Sequence, residues 1–329
     1  MKRSDDALAT IALVSRLCAD ELRPLKASEF WKLMAKPDSR PSDLLGMSAG
    51  DLTSDDGFST VLAERLVALL GRATSLAFEI ERLQHSGIKA ITPFDEHYPN
   101  CWSDRLGAKA PPLLYAAGAA ELLDCRGLGV VGSRDVSPDG AEVAVAAAQS
   151  AASRGLPLVS GGARGVDQLA MNSALDSGGT VVGVLADSLA RKLRNADIRA
   201  AIHDERIVMC TPYSPDAGFS AGNAMGRNKL IYAQAALTLV VASDNGKGGT
   251  WSGATEALDN KFGRVAVWRG PGEGSGNEIL DRRGAAPVAT IDELKSLLDG
   301  DGPLTGADVP PSNGHLEQRT LFDDQPAVL

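Results

Sequence analysis

The spacing of apolar positions changes character near residue 87. Before that point apolar residues recur at helical intervals. Ala7–Leu17 carries one such stripe. Ser28 is a candidate N-cap for a short helix through Met34. Phe58–Leu83 places Val61, Leu62, Leu66, Leu69, Leu70, Leu76 and Ile80 in an amphipathic pattern, with Gly71 as a break or a close-packing point. No residue of this segment carries a chemistry of its own, and residues 1–86 read as a helical domain. Residues 88–126 are a connector punctuated by Pro93, Pro99, Pro111 and Pro112, with short apolar pieces at Ile88–Ile91 and Leu113–Tyr115.

Beyond the connector, short apolar runs alternate with helical patterns. The runs are Leu128–Val131, Leu156–Val159, Val181–Leu185, Ile207–Cys210, Leu237–Ala242 and Val265–Trp268; Gly140–Arg154 and Asp167–Asp176 are the clearest helices between them. Residues 270–298 add one more βα-like piece that closes with Ile291–Leu298. This alternation predicts an α/β fold, a parallel sheet covered by helices, over residues 87–298. From Asp299 onward the Gly, Pro and Asp content is that of an acidic, disordered tail over 299–329.

Composition narrows the function classes. The chain has 329 residues, a length that fits about two domains. Its 44% hydrophobic and 23% charged content excludes a wholly disordered chain. No apolar run approaches the roughly 18 residues of a membrane span, and the start reads as no secretory signal, so a cytoplasmic protein is expected. Thirty-three basic against 42 acidic residues give a net charge of −9, which excludes a polycationic coat but allows a local basic groove. Residues 301–329 hold Asp301, Asp308, Glu317, Asp323 and Asp324 against Arg319, so −4 of that charge lies there and −5 elsewhere. Cys18, Cys101, Cys125 and Cys210 form no CxxC pair and read as reduced thiols. The four histidines are equally scattered, so no metal and no nucleophile elbow is expected.

In an open parallel sheet, ligands bind beyond the carboxyl ends of the strands. Three loops there share one composition: Gly132-Ser133-Arg134, Ser160-Gly161-Gly162-Ala163-Arg164-Gly165 and Ser243 to Thr250, the last containing Lys247, Gly248 and Gly249; Arg227-Asn228-Lys229 leads into the last strand–loop pair. Each combines glycine, a polar or hydroxyl side chain and a cation. Glycines bring backbone N–H groups close to an anion, a following helix adds the positive end of its dipole, and guanidinium groups bond phosphate through a fork. Any one such loop is equally a plain tight turn; three on one sheet edge favour a phosphate site. There is no Gly-x-x-x-x-Gly-Lys-Ser/Thr and no complete Gly-x-Gly-x-x-Gly, which argues against a hydrolytic P-loop or a dinucleotide site. Three further residues are open to two readings each. Asp167 is a base or metal ligand, or a helix cap and orienter of Arg164. Glu256 is a general base, or a carboxylate complementing a helix dipole. Trp251 stacks a base, or packs under its loop.

At these residues the chain resembles the DNA-processing protein A family, also called Smf, within the Rossmann-like group shared with the LOG phosphoribohydrolases. The resemblance rests on Val130-Val131-Gly132-Ser133-Arg134, on Ser160-Gly161-Gly162-Ala163-Arg164-Gly165-Val166-Asp167, on Arg227-Asn228-Lys229-Leu230-Ile231, on Gly248-Gly249-Thr250 with Gly263-Arg264, and on a closing Gly276-Asn277, Leu280 and Gly284-Ala285. It implies a Rossmann-like domain and a non-catalytic protein without cofactor that binds single-stranded DNA and loads the RecA recombinase in natural transformation, working as a dimer. Carried over, Gly132, Ser133, Arg134, Ser160, Gly161, Arg164 and Gly165 would hold DNA phosphates. Arg227, Asn228, Lys229, Lys247, Gly248, Gly249 and Thr250 would line the same groove. Departures are Ala224-Met225-Gly226 where the family has Phe-Pro, Trp251 in the glycine loop, an inserted Lys261-Phe262, and the lack of a winged-helix pattern after Leu298; they suit a divergent branch on a mobile element or in a defence system.

Two alternatives stand beside this reading. Gly248-Gly249 followed by Glu256 is similar to the glycine–glutamate motif of LOG enzymes, although the spacing differs; it would make the protein a nucleotide sensor or a nucleotide phosphoribohydrolase. A third class is an interaction protein acting through its helical domain and tail. In the tail, Gln318, Leu321 and Phe322 match the short pattern of sliding-clamp ligands, a pattern brief enough to arise by chance.

Overall fold

The computed structural model describes residues 3–18, 21–36, 38–54 and 57–300. Its first elements are helical: α1 (Asp5–Val14), α2 (Ala27–Leu33), α3 (Ala49–Ser54), α4 (Thr60–Leu70) and α5 (Ala73–His85). Side-chain caps start two of them, since Ser4 accepts the amide of Ala7 and Ser59 that of Leu62. The expected N-cap at Ser28 is displaced: Lys26 holds that position and Glu29 reaches back to its amide at 2.7 Å. Of the two readings open for Gly71 in the Phe58–Leu83 pattern, the break is the one seen: α4 and α5 part at Gly71-Arg72. Arg72 explains the break. It is buried, and its guanidinium donates to the carbonyls of Ala12 and Ser15, closing the carboxyl end of α1.

The remainder is β1 (Lys89–Ile91), α6 (Asn100–Leu106), β2 (Leu114–Gly118), β3 (Gly127–Val131), α7 (Pro138–Ser153), β4 (Leu158–Ser160), α8 (Val166–Asp176), β5 (Val181–Val184), α9 (Leu189–Lys192), α10 (Ala196–His203), β6 (Ile207–Thr211), α11 (Ala221–Gln234), β7 (Ala235–Val240), α12 (Gly248–Asn260), β8 (Arg264–Trp268), α13 (Asn277–Arg282), β9 (Ala286–Val288) and α14 (Ile291–Asp299). The nine strands form one sheet in the order β1-β2-β6-β5-β4-β3-β7-β8-β9. β1 and β2 pair antiparallel, as do β2 and β6; every other pair is parallel. The central strands are buried throughout, which is why they read as unbroken apolar runs.

Alternation along each strand divides the core into two layers. Leu128 and Val130 of β3, with Leu237 and Leu239 of β7, face α1, α5, α7, α8, α10 and α14. Val131 and Val240 face α6, α11, α12 and α13, where Trp102, Tyr232 and Ala257 pack. A smaller cluster of Leu13, Phe30, Leu52, Leu66 and Leu69 joins α1 to α4. Because Ile11, Leu76, Ile80 and Leu83 also enter the first layer, the leading helices share a core with the sheet. No helix among the described residues is long and apolar enough to cross a membrane.

Candidate nucleic-acid interface

The topology places the site. From β3 the chain steps to β4, β5 and β6 in one direction, then crosses back to lay β7 on the other side of β3. The connections leaving β3 and β7 therefore turn to opposite faces, and a crevice opens between them at the carboxyl edge. A cleft of about 550 Å³ occupies that crevice. It is walled by Gly132, Ser133 and Arg134 after β3, by Ala163 and Asp167 around the start of α8, by Arg227 and Asn228 of α11, and by Lys247, Gly248, Gly249 and Thr250 at the start of α12.

Asp167 organises the loops. It does not cap α8, whose cap position is Gly165; it lies within the first turn, 6% exposed, and points inward. Its carboxylate accepts the Gly161 amide at 3.2 Å, with the amides of Gly132 and Ala163 also turned toward it. Burial pushes this carboxyl up, and Arg227 and the three amides oppose that shift. Arg227 is the matching interior cation. It is 5% exposed, donates to the Val184 carbonyl, and is pulled below its ordinary value by burial against the pull of Asp167 and Asp187. Two glycines are required by this packing. A Cβ on Gly161 would lie 1.9 Å from Arg227 Nη1, and Gly165 has φ +87° with its Cβ position 2.4 Å from the Ser133 carbonyl.

Several residues expected to grip an anion brace the loops instead. Ser160 Oγ is buried and donates to the Val130 carbonyl at 2.7 Å; Thr250 Oγ1 donates to Gly132 at 2.9 Å; Asn228 Nδ2 donates to Gly249 at 3.0 Å. Ser133 Oγ stays within its own turn at Asp135. The amides of Gly132 and Gly161 serve Asp167, so they are not the outward-facing cradle that the glycine pattern suggests. Lys229 leaves the set altogether. It stands on the opposite side of α11 and lines a different cleft.

Outward-facing donors remain. Arg134 is exposed, without a carboxylate partner among the described residues, and its guanidinium lies 5.4 Å from the centre of the Phe219 ring. Lys247 is exposed at the cap position of α12, whose first-turn amides have no partner within the helix. Arg164 sits on the rim and pairs with Asp135 at 2.7 Å; both are mostly exposed. The cleft wall carries Arg134, Arg227 and Lys247 against Asp135, Asp167 and Asp244, formally balanced. Asp167 and Arg227 oppose one another in the interior and Asp135 is met by Arg164, so the open surface presents Arg134, Lys247 and the α12 terminus against Asp244 alone.

Phe219, 50% exposed, stands at the cleft although no motif singles it out, and Met225, 51% exposed, which the sequence marks only as a departure from the family pattern, stands there too. The only further signal in the sequence is a large apolar residue inside the small, polar stretch 217–226. At the floor, Arg227 Nε and the Tyr232 hydroxyl are buried without a hydrogen-bond partner. Trp251 packs partly buried against the α11–α12 layer, and Glu256 stands in the third turn of α12 rather than near its start; neither lines the cleft. Among the described residues no cluster suits a metal ion, and the four cysteines form no disulfide. Gln318, Leu321 and Phe322 lie outside the described residues.

Comparison with known proteins agrees with this fold. A Mycobacterium tuberculosis protein described as a putative DNA processing protein DprA is 33% identical over 249 residues, 70% of this chain and 62% of its own length. Protein Smf of Synechocystis is 24% identical over 272 residues, 75% of this chain and 66% of its own. The chain thus spans less than two thirds of the length of either relative. DNA processing protein A of Streptococcus pneumoniae superposes with a TM-score of 0.66 at 22% identity, over 90% of this chain and 98% of that one. DNA processing protein A of Helicobacter pylori, a single-stranded DNA binder, superposes with a TM-score of 0.53 at 24% identity, over 65% and 97%. At those identities the two structures speak to the fold alone. The sequence profile of DNA recombination-mediator protein A matches residues 89–299, well over half of the 329, and the chain therefore belongs to that family.

Proposed function

We propose that the protein binds single-stranded DNA, with the sugar–phosphate chain running over the cleft between β3 and β7. The observation that carries this reading is the grouping of Arg134, Lys247 and the start of α12 around an open cleft, with an exposed aromatic, Phe219, beside them. The cations and the helix terminus suit phosphate oxygens in a sequence-independent way. Phe219 offers a face on which a base can stack, and that requires an unpaired strand. Arg164 reaches the rim and would exchange Asp135 for a phosphate. The wider role we infer is that of the family: holding single strands and handing them to a RecA-type recombinase, as a dimer. A nucleotide phosphoribohydrolase is disfavoured because Glu256, the residue a LOG-like reaction would use as base, lies outside the cleft.

The test is a fluorescence titration of an oligothymidylate with the wild type, Arg134→Ala and Lys247→Ala. Each substitution is expected to weaken binding and to reduce the slope of log K against log salt by about 0.7, the single-strand value for one lost phosphate contact. Affinity and slope unchanged in both variants would remove the cleft from the binding surface.

A further inference from the structure

We infer that a second cleft, on the far side of α11, takes a further stretch of the same polynucleotide strand; this rests on the single-stranded DNA reading above. The cleft has about 540 Å³ and lies where the segment after α1 and the start of α2 meet β2, the loop after β6 and α11. Its described lining contains no Asp or Glu. Arg16, Lys26 and Lys229 line it, and none has a carboxylate partner among the described residues; Arg16 and Lys26 are exposed. Lys109 also lines it, but its Nζ donates to Asn260 at 2.8 Å and lies over Phe262, so it is not counted. This surface is therefore more purely cationic than the first cleft, where charges are formally balanced.

Its remaining features suit a nucleotide. Tyr213, half-buried, forms part of the wall and offers apolar ring surface beside the cations. The Ser15 hydroxyl, on a residue 1% exposed that lines the cleft, is buried without a hydrogen-bond partner, a polar group that the protein itself leaves unused. The two clefts are also neighbours. Asn223, Gly226 and Lys229 face the second cleft, whereas Ala224, Arg227 and Asn228 face the first. These sets follow the three- and four-residue spacing of opposite helix faces, so only the width of one helix, about 10–12 Å, separates the clefts. Gly226 keeps the crossing low: a Cβ there would lie 2.7 Å from the Tyr213 hydroxyl, which is held by the Asn223 carbonyl at 2.8 Å.

The test compares oligothymidylates of about 5 and about 20 nucleotides, of which only the longer spans both clefts. They are titrated against the wild-type chain and against the double variant Arg16→Glu/Lys26→Glu, whose exposed side chains leave the core untouched; circular dichroism verifies its fold. The inference expects the variant to lose about tenfold or more in affinity for the long strand and to bind the short one as the wild type does. Equal binding of the long strand by variant and wild type overturns it, and leaves the cleft to some other acidic partner. An equal loss for both lengths also overturns it, because the clefts would then not act separately. If the wild type binds neither strand, the reading of the first cleft fails, and this one with it.

Discussion

A carboxylate removed from water costs several kcal/mol unless hydrogen bonds and a counter-charge replace its hydration, and Asp167 has both. By drawing the Gly161 amide inward, with those of Gly132 and Ala163 beside it, this side chain fixes the shape of two loops while leaving Arg134 and Arg164 on the outside. The Asp167→Ala variant would orphan the Gly161 amide and leave buried Arg227 without the main charge that opposes the effect of its burial. Its expected cost is about 1–3 kcal/mol in urea unfolding, the range for leaving a buried polar group unsatisfied; a loss below about 0.5 kcal/mol would contradict the role assigned to it. The sequence places Asp167 at the right spot but leaves its direction open, as a base, a ligand, a cap or a partner of Arg164. What accompanies the inward direction is the positive φ of Gly165, a backbone conformation that glycine adopts readily, just before α8 begins. A motif records which residues are near each other in sequence and says nothing about which way they face.

At the scale of elements, strands β3 to β8 were legible because burial on both faces writes an apolar run that polar surfaces cannot mimic. Helix α6 was not, because seven residues inside a proline-rich connector carry too little periodicity. The misplacement of Lys229 has the same kind of cause. Successive residues on a helix point roughly 100° apart, so Arg227-Asn228-Lys229, contiguous as a motif, is divided between two clefts by α11. Among the leading helices, α2 and α4 are tied by Glu29 and Arg65, at 3.0 Å. The Arg65 hydrogen bond and the Lys26 amide hold the Glu29 carboxyl down at about 2, against an ordinary value of 4.5. A depressed carboxyl contributes stability that is complete above the ordinary value and is lost as pH falls from 4.5 toward 2. Glu29→Gln should therefore destabilise by about 0.2–1 kcal/mol at pH 7, the range for a solvent-screened pair, and the gap to wild type should narrow by pH 3. A gap that is constant or widens on acidification would exclude the pair as a link between the helices.

For the whole molecule, a net charge of −9 and an affinity for polyanions are compatible only if cations are gathered where the strand lies and acids are kept elsewhere. The structure meets that condition unevenly: the first cleft sets Arg134 and Lys247 against Asp244, the second sets three cations against no described acid, and α11 is the ridge between them. On this account binding is electrostatic, independent of sequence, and selective for unpaired strands through the aromatic surfaces of Phe219 and Tyr213. The most direct test is a titration of the wild-type chain with single-stranded and duplex oligonucleotides of equal length at two salt concentrations. The account predicts tighter binding of the single strand, falling steeply as salt rises. Equal affinity for duplex, or single-strand binding that salt leaves unchanged, would contradict it.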